Sequence, residues 1–244
     1  MSSYSSPEPL VFAPAHQTAR QLFVLLHDDD ADPNQLDQLK KALMQAFPQA
    51  VLVLPYGPLR SRQDRHHWFE QQGLTEHNYP DRVERALPDL VHYIQWLQGH
   101  FDLDGESTAL AGFGQGATLA LEAVQAYPEL AGRVLAFSGC HARLPAQAPP
   151  ATTVHFLHGA TDPIVPKSVM QSVHAHMADL GGDATLDIAS SVGHELHEAL
   201  VNQAVYRLQT CLPLRSWANA LQELHSRSTD DEDLQPPPPG TTLH

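Results

Sequence analysis

The chain has 244 residues, of which 42% are hydrophobic, enough for one large domain with a substantial core. Its net charge of −14 argues against nucleic acid and anionic membrane surfaces as partners, because both demand basic patches. Two cysteines, Cys140 and Cys211, make neither a disulfide framework nor a metal-binding spacing, so both are read as reduced thiols of a cytoplasmic protein. The N-terminus is Ser/Pro-rich without a basic start, and no apolar run approaches the length of a membrane span.

In chain order, short apolar runs predict strands at Leu10–Ala13, Gln21–Leu26, Ala50–Leu54, Thr108–Ala111, Arg133–Phe137, Thr153–Leu157 and Ala184–Ile188. Helical patterns separate them. Pro33–Phe47 opens after Asp32, an N-cap residue with proline at the first helical position. Asp81–Gln98 stops at Gly99, Gln115–Tyr127 at Pro128, Lys167–Leu180 at Gly181-Gly182, and His194–Cys211 before Pro213. The alternation predicts an α/β fold: a mostly parallel central sheet with helices on both faces, in a single domain over residues 1–226. A short amphipathic stretch, Trp217–His225, reads as a terminal helix. Beyond it, Asp230-Asp231-Glu232-Asp233 and Pro236-Pro237-Pro238-Pro239 make residues 227–244 an acidic, proline-rich tail expected to be disordered.

Active sites in such sheets lie beyond the carboxyl ends of the strands. Four of those loops carry reactive residue types: His27-Asp28-Asp29-Asp30, Gly112-Phe113-Gly114-Gln115-Gly116, His158 to Pro166 with Asp162-Pro163, and Gly193-His194-Glu195. The second has the strand–turn–helix frame of a nucleophile elbow, G-x-S-x-G, with glycine at the position of the serine. Asp162 and His194 follow in the order nucleophile, acid, histidine. A carboxylate there would fix the imidazole tautomer and stabilise the imidazolium. An Asp-Pro after a strand is also an ordinary turn, and His194 is one of 16 histidines, so the reading rests on their joint placement. Trp68 and Phe69, after His66-His67 on the loop following Ala50–Leu54, either wall a ligand pocket or anchor that loop. Adjacent histidines on one loop are poor metal ligands, and neither metal nor cofactor is expected.

These motifs resemble the phospholipase/carboxylesterase family of α/β-hydrolases, which includes acyl-protein thioesterases and small bacterial esterases, and in particular its bacterial YpfH-like branch. The resemblance covers about residues 20–225. It rests on Leu26-His27, Trp68-Phe69, Gly112-Phe113-x-Gln115-Gly116-Ala117, Phe137-Ser138-Gly139, His158-Gly159-x-x-Asp162-Pro163-Ile164-Val165-Pro166 and Gly193-His194. It implies an α/β-hydrolase fold, catalytic positions at residue 114, Asp162 and His194, and oxyanion donors in the backbone N–H groups of Gln115 and Asp29. It also implies contacts to a small ester or thioester from His27, Trp68 and Phe69. Two departures fall in that one site. Gly114 removes the nucleophile. The family's Leu-His-Gly-x-Gly-Asp reads Leu26-His27-Asp28-Asp29-Asp30-Ala31 here, so both glycines have become aspartates and three carboxylates lie beside the oxyanion hole, where a carboxylate such as Asp28 or Asp29 opposes developing negative charge unless it points away. The sequence therefore leaves three readings open: a pseudo-hydrolase that binds without turnover, a hydrolase or lyase using His194–Asp162 as general base on water or substrate, and an esterase rescued by a second nucleophile such as Ser138 or Cys140.

Overall fold

A computed structural model describes residues 7–15, 18–61, 64–214 and 216. The chain divides into a compact unit, Met1–Cys211, and the remainder, Leu212–His244. The expected terminal helix at Trp217–His225, the domain end at 226 and the tail at 227–244 lie outside the described residues.

Strands β1 (Leu10–Phe12), β2 (Gln21–Leu26), β3 (Ala50–Leu54), β6 (Thr108–Phe113), β7 (Arg133–Phe137), β8 (Thr153–Gly159) and β9 (Ala184–Ala189) form one sheet. Their order is β1-β3-β2-β6-β7-β8-β9, with β1 antiparallel and every other pairing parallel. The central strands are largely apolar because both their faces are covered, with buried His155 and His158 as polar exceptions on β8. On one face, α2 (Tyr79–Phe101), α3 (Gln115–Ala126) and α4 (Lys167–Asp179) bury side chains such as Leu87, Ile94, Leu119 and Met170 against Leu22, Val24, Leu110 and Val154. On the other, α1 (Asp37–Ala46) and α5 (Glu198–Thr210) place Leu39, Leu43, Leu200 and Val201 over Phe23, Leu52, Ala111 and Leu157. Between β3 and α2, the two-residue strands β4 (Leu59–Arg60) and β5 (His66–His67) pair antiparallel, and His66 bridges to Ala31.

Most element ends shift by one or two residues from the sequence reading, β6 and β8 running on to Phe113 and Gly159, and three helices depart more instructively. Asp32 caps as expected, its Oδ1 accepting the Asn34 N–H at 2.7 Å, but the turn it opens is a 3-10 turn, Pro33–Leu36, before α1 begins. Helix α2 runs past both expected ends. Helix α5 starts at Glu198 rather than His194, because the His197 ring accepts the Ala199 N–H at 3.1 Å and sets the N-terminus there. His194 is thereby left on the β9–α5 loop.

Parallel register brings the functional loops together. Leu26 lies beside Gly112, Phe113 beside Phe137, and Gly159 beside Ala189. The chain after β2 thus leaves the sheet next to the β6–α3 turn.

Candidate active site

Gly114 has φ +52° and ψ −115°, a conformation that costs a side-chain-bearing residue but not glycine. It closes the turn between β6 and α3, with its N–H donating to the Phe137 carbonyl at 2.9 Å. Close approach sets the rest of the elbow: a Cβ on Gly116 would overlap the carbonyls of Leu26 and His27. The β2 loop is therefore pressed directly onto the elbow.

The carboxylate of Asp28 fills the space that a side chain on Gly114 would need, since a Cβ there would overlap both its oxygens and its Cγ. Its Oδ1 accepts the Gln115 backbone N–H at 2.7 Å. Its Oδ2 faces His194 Nε2 at 3.4 Å. Behind His194, the Nδ1–H donates to Asp162 Oδ2 at 2.9 Å, and Asp162 Oδ1 accepts the N–H groups of Ile164 and Val165 at 2.8 and 3.0 Å. The result is a chain of carboxylate, imidazole and carboxylate, with the first carboxylate standing in the nucleophile position.

The charges follow from that chain. His194 has its pKa raised, chiefly by the hydrogen bond to Asp28; partial burial opposes the shift and Asp162 adds to it. Asp162 sits below the usual carboxylate range: burial alone would raise it, but the Val165 N–H, His194 and the Ile164 N–H outweigh that. Imidazolium is the form this environment favours, and an imidazolium cannot accept a proton.

Of the two aspartates that the sequence left undecided, Asp28 enters the site and Asp29 turns away. Asp29 Oδ1 pairs with His67 Nδ1 at 2.8 Å. The left-handed residue of this loop is Asp30, with φ +45°, whose Oδ1 accepts the Ser61 hydroxyl at 2.5 Å. His27 is fully buried, and its ring is committed to the backbone. Its Nε2 accepts the Gly57 N–H at 2.9 Å and its Nδ1–H donates to the Asp28 carbonyl at 2.6 Å. It fixes the loop rather than facing a ligand. Burial lowers its pKa to about 4, so it stays neutral and keeps that donor–acceptor pattern.

Trp68 anchors the same loop, donating from Nε1 to the His27 carbonyl at 2.8 Å and meeting the His27 ring at a tilt, with centroids 4.9 Å apart. Trp68 and Phe69 also line a cavity of about 480 Å³, together with Tyr56, Leu90, Tyr93 and Leu119. The hydrogen bond to His27 is the anchoring role; the cavity is not lined by Asp28, Gly114, Asp162 or His194. His66 Nδ1 pairs with the Gly57 carbonyl at 2.8 Å. Among the described residues no three His, Cys, Asp or Glu side chains converge as metal ligands.

Neither replacement nucleophile is activated. Ser138 Oγ is buried and has no hydrogen-bond partner, hence no base in reach. Burial, followed by the charge of Glu122, pushes the Cys140 thiol up, away from thiolate. Tyr79, at the start of α2, meets the Phe69 ring edge-on with centroids 5.7 Å apart, a neighbour that sequence reasoning missed. Burial pushes its hydroxyl up to about 12, the Thr118 hydroxyl opposes that, and the charges of Cys140, Asp28 and Asp29 add to it, so it stays neutral. No local motif marks it, since a tyrosine opening an amphipathic helix reads as core.

An elbow at the carboxyl edge of a parallel sheet, with acid and histidine on the two expected loops, is the architecture of an α/β-hydrolase. The chain belongs to the phospholipase/carboxylesterase family, whose profile matches residues 8–212. It is 34% identical over 208 residues to the esterase YpfH of Escherichia coli K12, a match covering 83% of this chain and 88% of that protein. Among solved structures it resembles esterase PE8, with TM-score 0.75 and 27% identity, covering 85% of this chain and 99% of that one. The Bacillus cereus carboxylesterase shares the fold at TM-score 0.71 and 13% identity, over 84% of this chain and 94% of its own.

Proposed function

We propose that this chain is a carboxylesterase-family protein that has given up acyl-serine chemistry and retains the site for binding a small ester, thioester or carboxylic ligand. One observation carries the reading: the Asp28 carboxylate holds both the oxyanion donor of Gln115 and the face of His194 that a serine would use. An ester carbonyl cannot enter that hole while a carboxylate oxygen occupies it, and no serine stands at residue 114 to be acylated. Trp68 and Phe69, which line a cavity with Tyr93 and Leu119, are the apolar side chains assigned in this reading to the ligand's acyl or alkyl part. A cytoplasmic setting, small-molecule rather than nucleic-acid partners, and no metal or cofactor complete the reading.

The test is fluorophosphonate labelling of the purified protein, with p-nitrophenyl acetate hydrolysis measured for wild type, Asp162→Ala and His194→Ala. The expectation is no adduct and equal slow rates. A covalent serine adduct, or a rate that collapses in either variant, would overturn the reading. The intact His194–Asp162 pair, at 2.9 Å, favours one second reading, a general-base dyad acting on bound water or an acidic substrate. A rate controlled by an ionisation that His194→Ala abolishes would support it instead.

A further inference from the structure

The inference here deepens the reading above by asking what else the Asp28 carboxylate can do in the serine's place. Its side chain is 21% exposed, so a ligand can reach it. Oδ1 is fixed by the Gln115 N–H and Oδ2 is free of backbone donors, facing His194. Chemistry then selects the electrophile. At an acyl carbon, carboxylate attack gives a tetrahedral adduct that expels the better leaving group, which is the carboxylate itself. At a saturated carbon bearing a good leaving group, the same oxygen displaces that group in one step and leaves an ordinary ester on Asp28.

We propose that Asp28 is the nucleophile for hydrolysis of alkyl electrophiles, primary alkyl halides being the simplest class, through an alkyl ester on its Oδ2. In the first step Oδ2 forms the new C–O bond while the carbon–halogen bond breaks and its electron pair departs with the halide. The halide leaves together with the proton that His194 carried. In the second step water attacks Cγ of Asp28 and gives its proton to His194 Nε2. The negative charge that develops on Oδ1 falls where the Gln115 N–H already points. The adduct then expels the alkoxide, which recovers the proton from His194 and leaves as the alcohol. Asp28, formed as the acid, passes its proton to His194 Nε2, which restores the starting carboxylate and imidazolium. In sum, alkyl halide and water become alcohol, halide and a proton.

The site is arranged for both halves. Before reaction, Asp28 is the main reason that His194 favours the imidazolium; an esterified Asp28 carries no charge, so His194 reverts toward a neutral base when a base is needed. Asp162 holds the ring throughout. Gly114 is part of the same device, because any Cβ there would evict the carboxylate. Serine lost at the elbow and aspartate gained on the loop amount to one relocation of the nucleophile.

The probe is 1-bromobutane. Wild type is expected to release bromide with turnover, about 100-fold or more above Asp28→Asn. His194→Ala should release one equivalent and accumulate a butyl ester that peptide mapping places on Asp28. His194→Gln repeats that trap should the alanine variant not fold. Wild type needs no variant in a third measurement: one turnover in heavy-oxygen water should put the label into the Asp28 carboxylate. Bromide release no faster than Asp28→Asn, butylation of Cys140 or a histidine instead of Asp28, or first-turnover label found only in butanol would each overturn the proposal. Fluorophosphonate labelling separates the two readings: a serine adduct defeats the preceding one, whereas its absence together with no Asp28 adduct defeats this one alone.

Discussion

Placing a serine at residue 114 alone should damage this protein rather than give it esterase activity. In Gly114→Ser the new Cβ overlaps the Asp28 carboxylate, so the carboxylate must leave. The displaced group forfeits a charge-assisted hydrogen bond to the Gln115 N–H, about 1.5–3 kcal/mol. A side chain at φ +52° adds strain of about 1–2 kcal/mol. The sum, roughly 2.5–5 kcal/mol, corresponds to a fall in Tm of about 10 °C for a domain of this size. Asp28→Gly combined with Gly114→Ser keeps only the strain and reopens the oxyanion hole. It should therefore be the more stable of the two and the only one to gain esterase activity. Thermal unfolding and p-nitrophenyl acetate hydrolysis, with fluorophosphonate labelling of Ser at 114, measure both effects. A single variant as stable and as active as the double would refute the reasoning, because Asp28 would then not occupy the nucleophile's space.

Asp28→Asn should lower the His194 pKa, read by NMR titration of the ring, since the largest contribution to its elevation is removed. The His194 ion pairs contribute fully to stability below the ordinary imidazole value and are lost as pH rises through the raised one, a loss that should shrink in Asp28→Asn, where Asp162 alone still favours the imidazolium. His27 and His155, both held near about 4 by burial, act oppositely. Folded, they refuse protons that the unfolded chain takes up below about pH 6.5, so each should withdraw about 3 kcal/mol as pH falls to about 4. Urea unfolding across that range should show the decline, and His155→Gln should flatten it. Trp68→Ala should cost about 3–5 kcal/mol by urea unfolding, from lost packing and an unpaired His27 carbonyl. Trp68→Phe should cost clearly less.

Much of the fold was legible because the buried strands are unbroken apolar runs: β2, β3 and β7 carry no polar residue inside the core that periodicity could misplace. Asp162 and His194 were legible for a different reason, their position just after predicted strands. The hairpin of β4 and β5 was not, since two-residue strands have no period to detect. Nor was the start of α5, which a histidine ring caps in place of the usual hydroxyl or carboxylate. The choice between Asp28 and Asp29 was beyond any sequence rule. Neighbouring residues on an extended loop point to opposite sides, and only the partners on each side, Gln115 and His194 against His67, decide which carboxylate faces inward.

The overlap between the Asp28 carboxylate and a Cβ on Gly114 also couples these two positions to each other. Any side chain at 114 beside aspartate at 28 forces the carboxylate out of the hole or the elbow open. Glycine at 114 leaves an unstrained turn into which the aspartate fits. Each residue therefore holds the other in place as a ratchet would, and a single exchange at 114 meets a steric penalty before any effect on chemistry is felt.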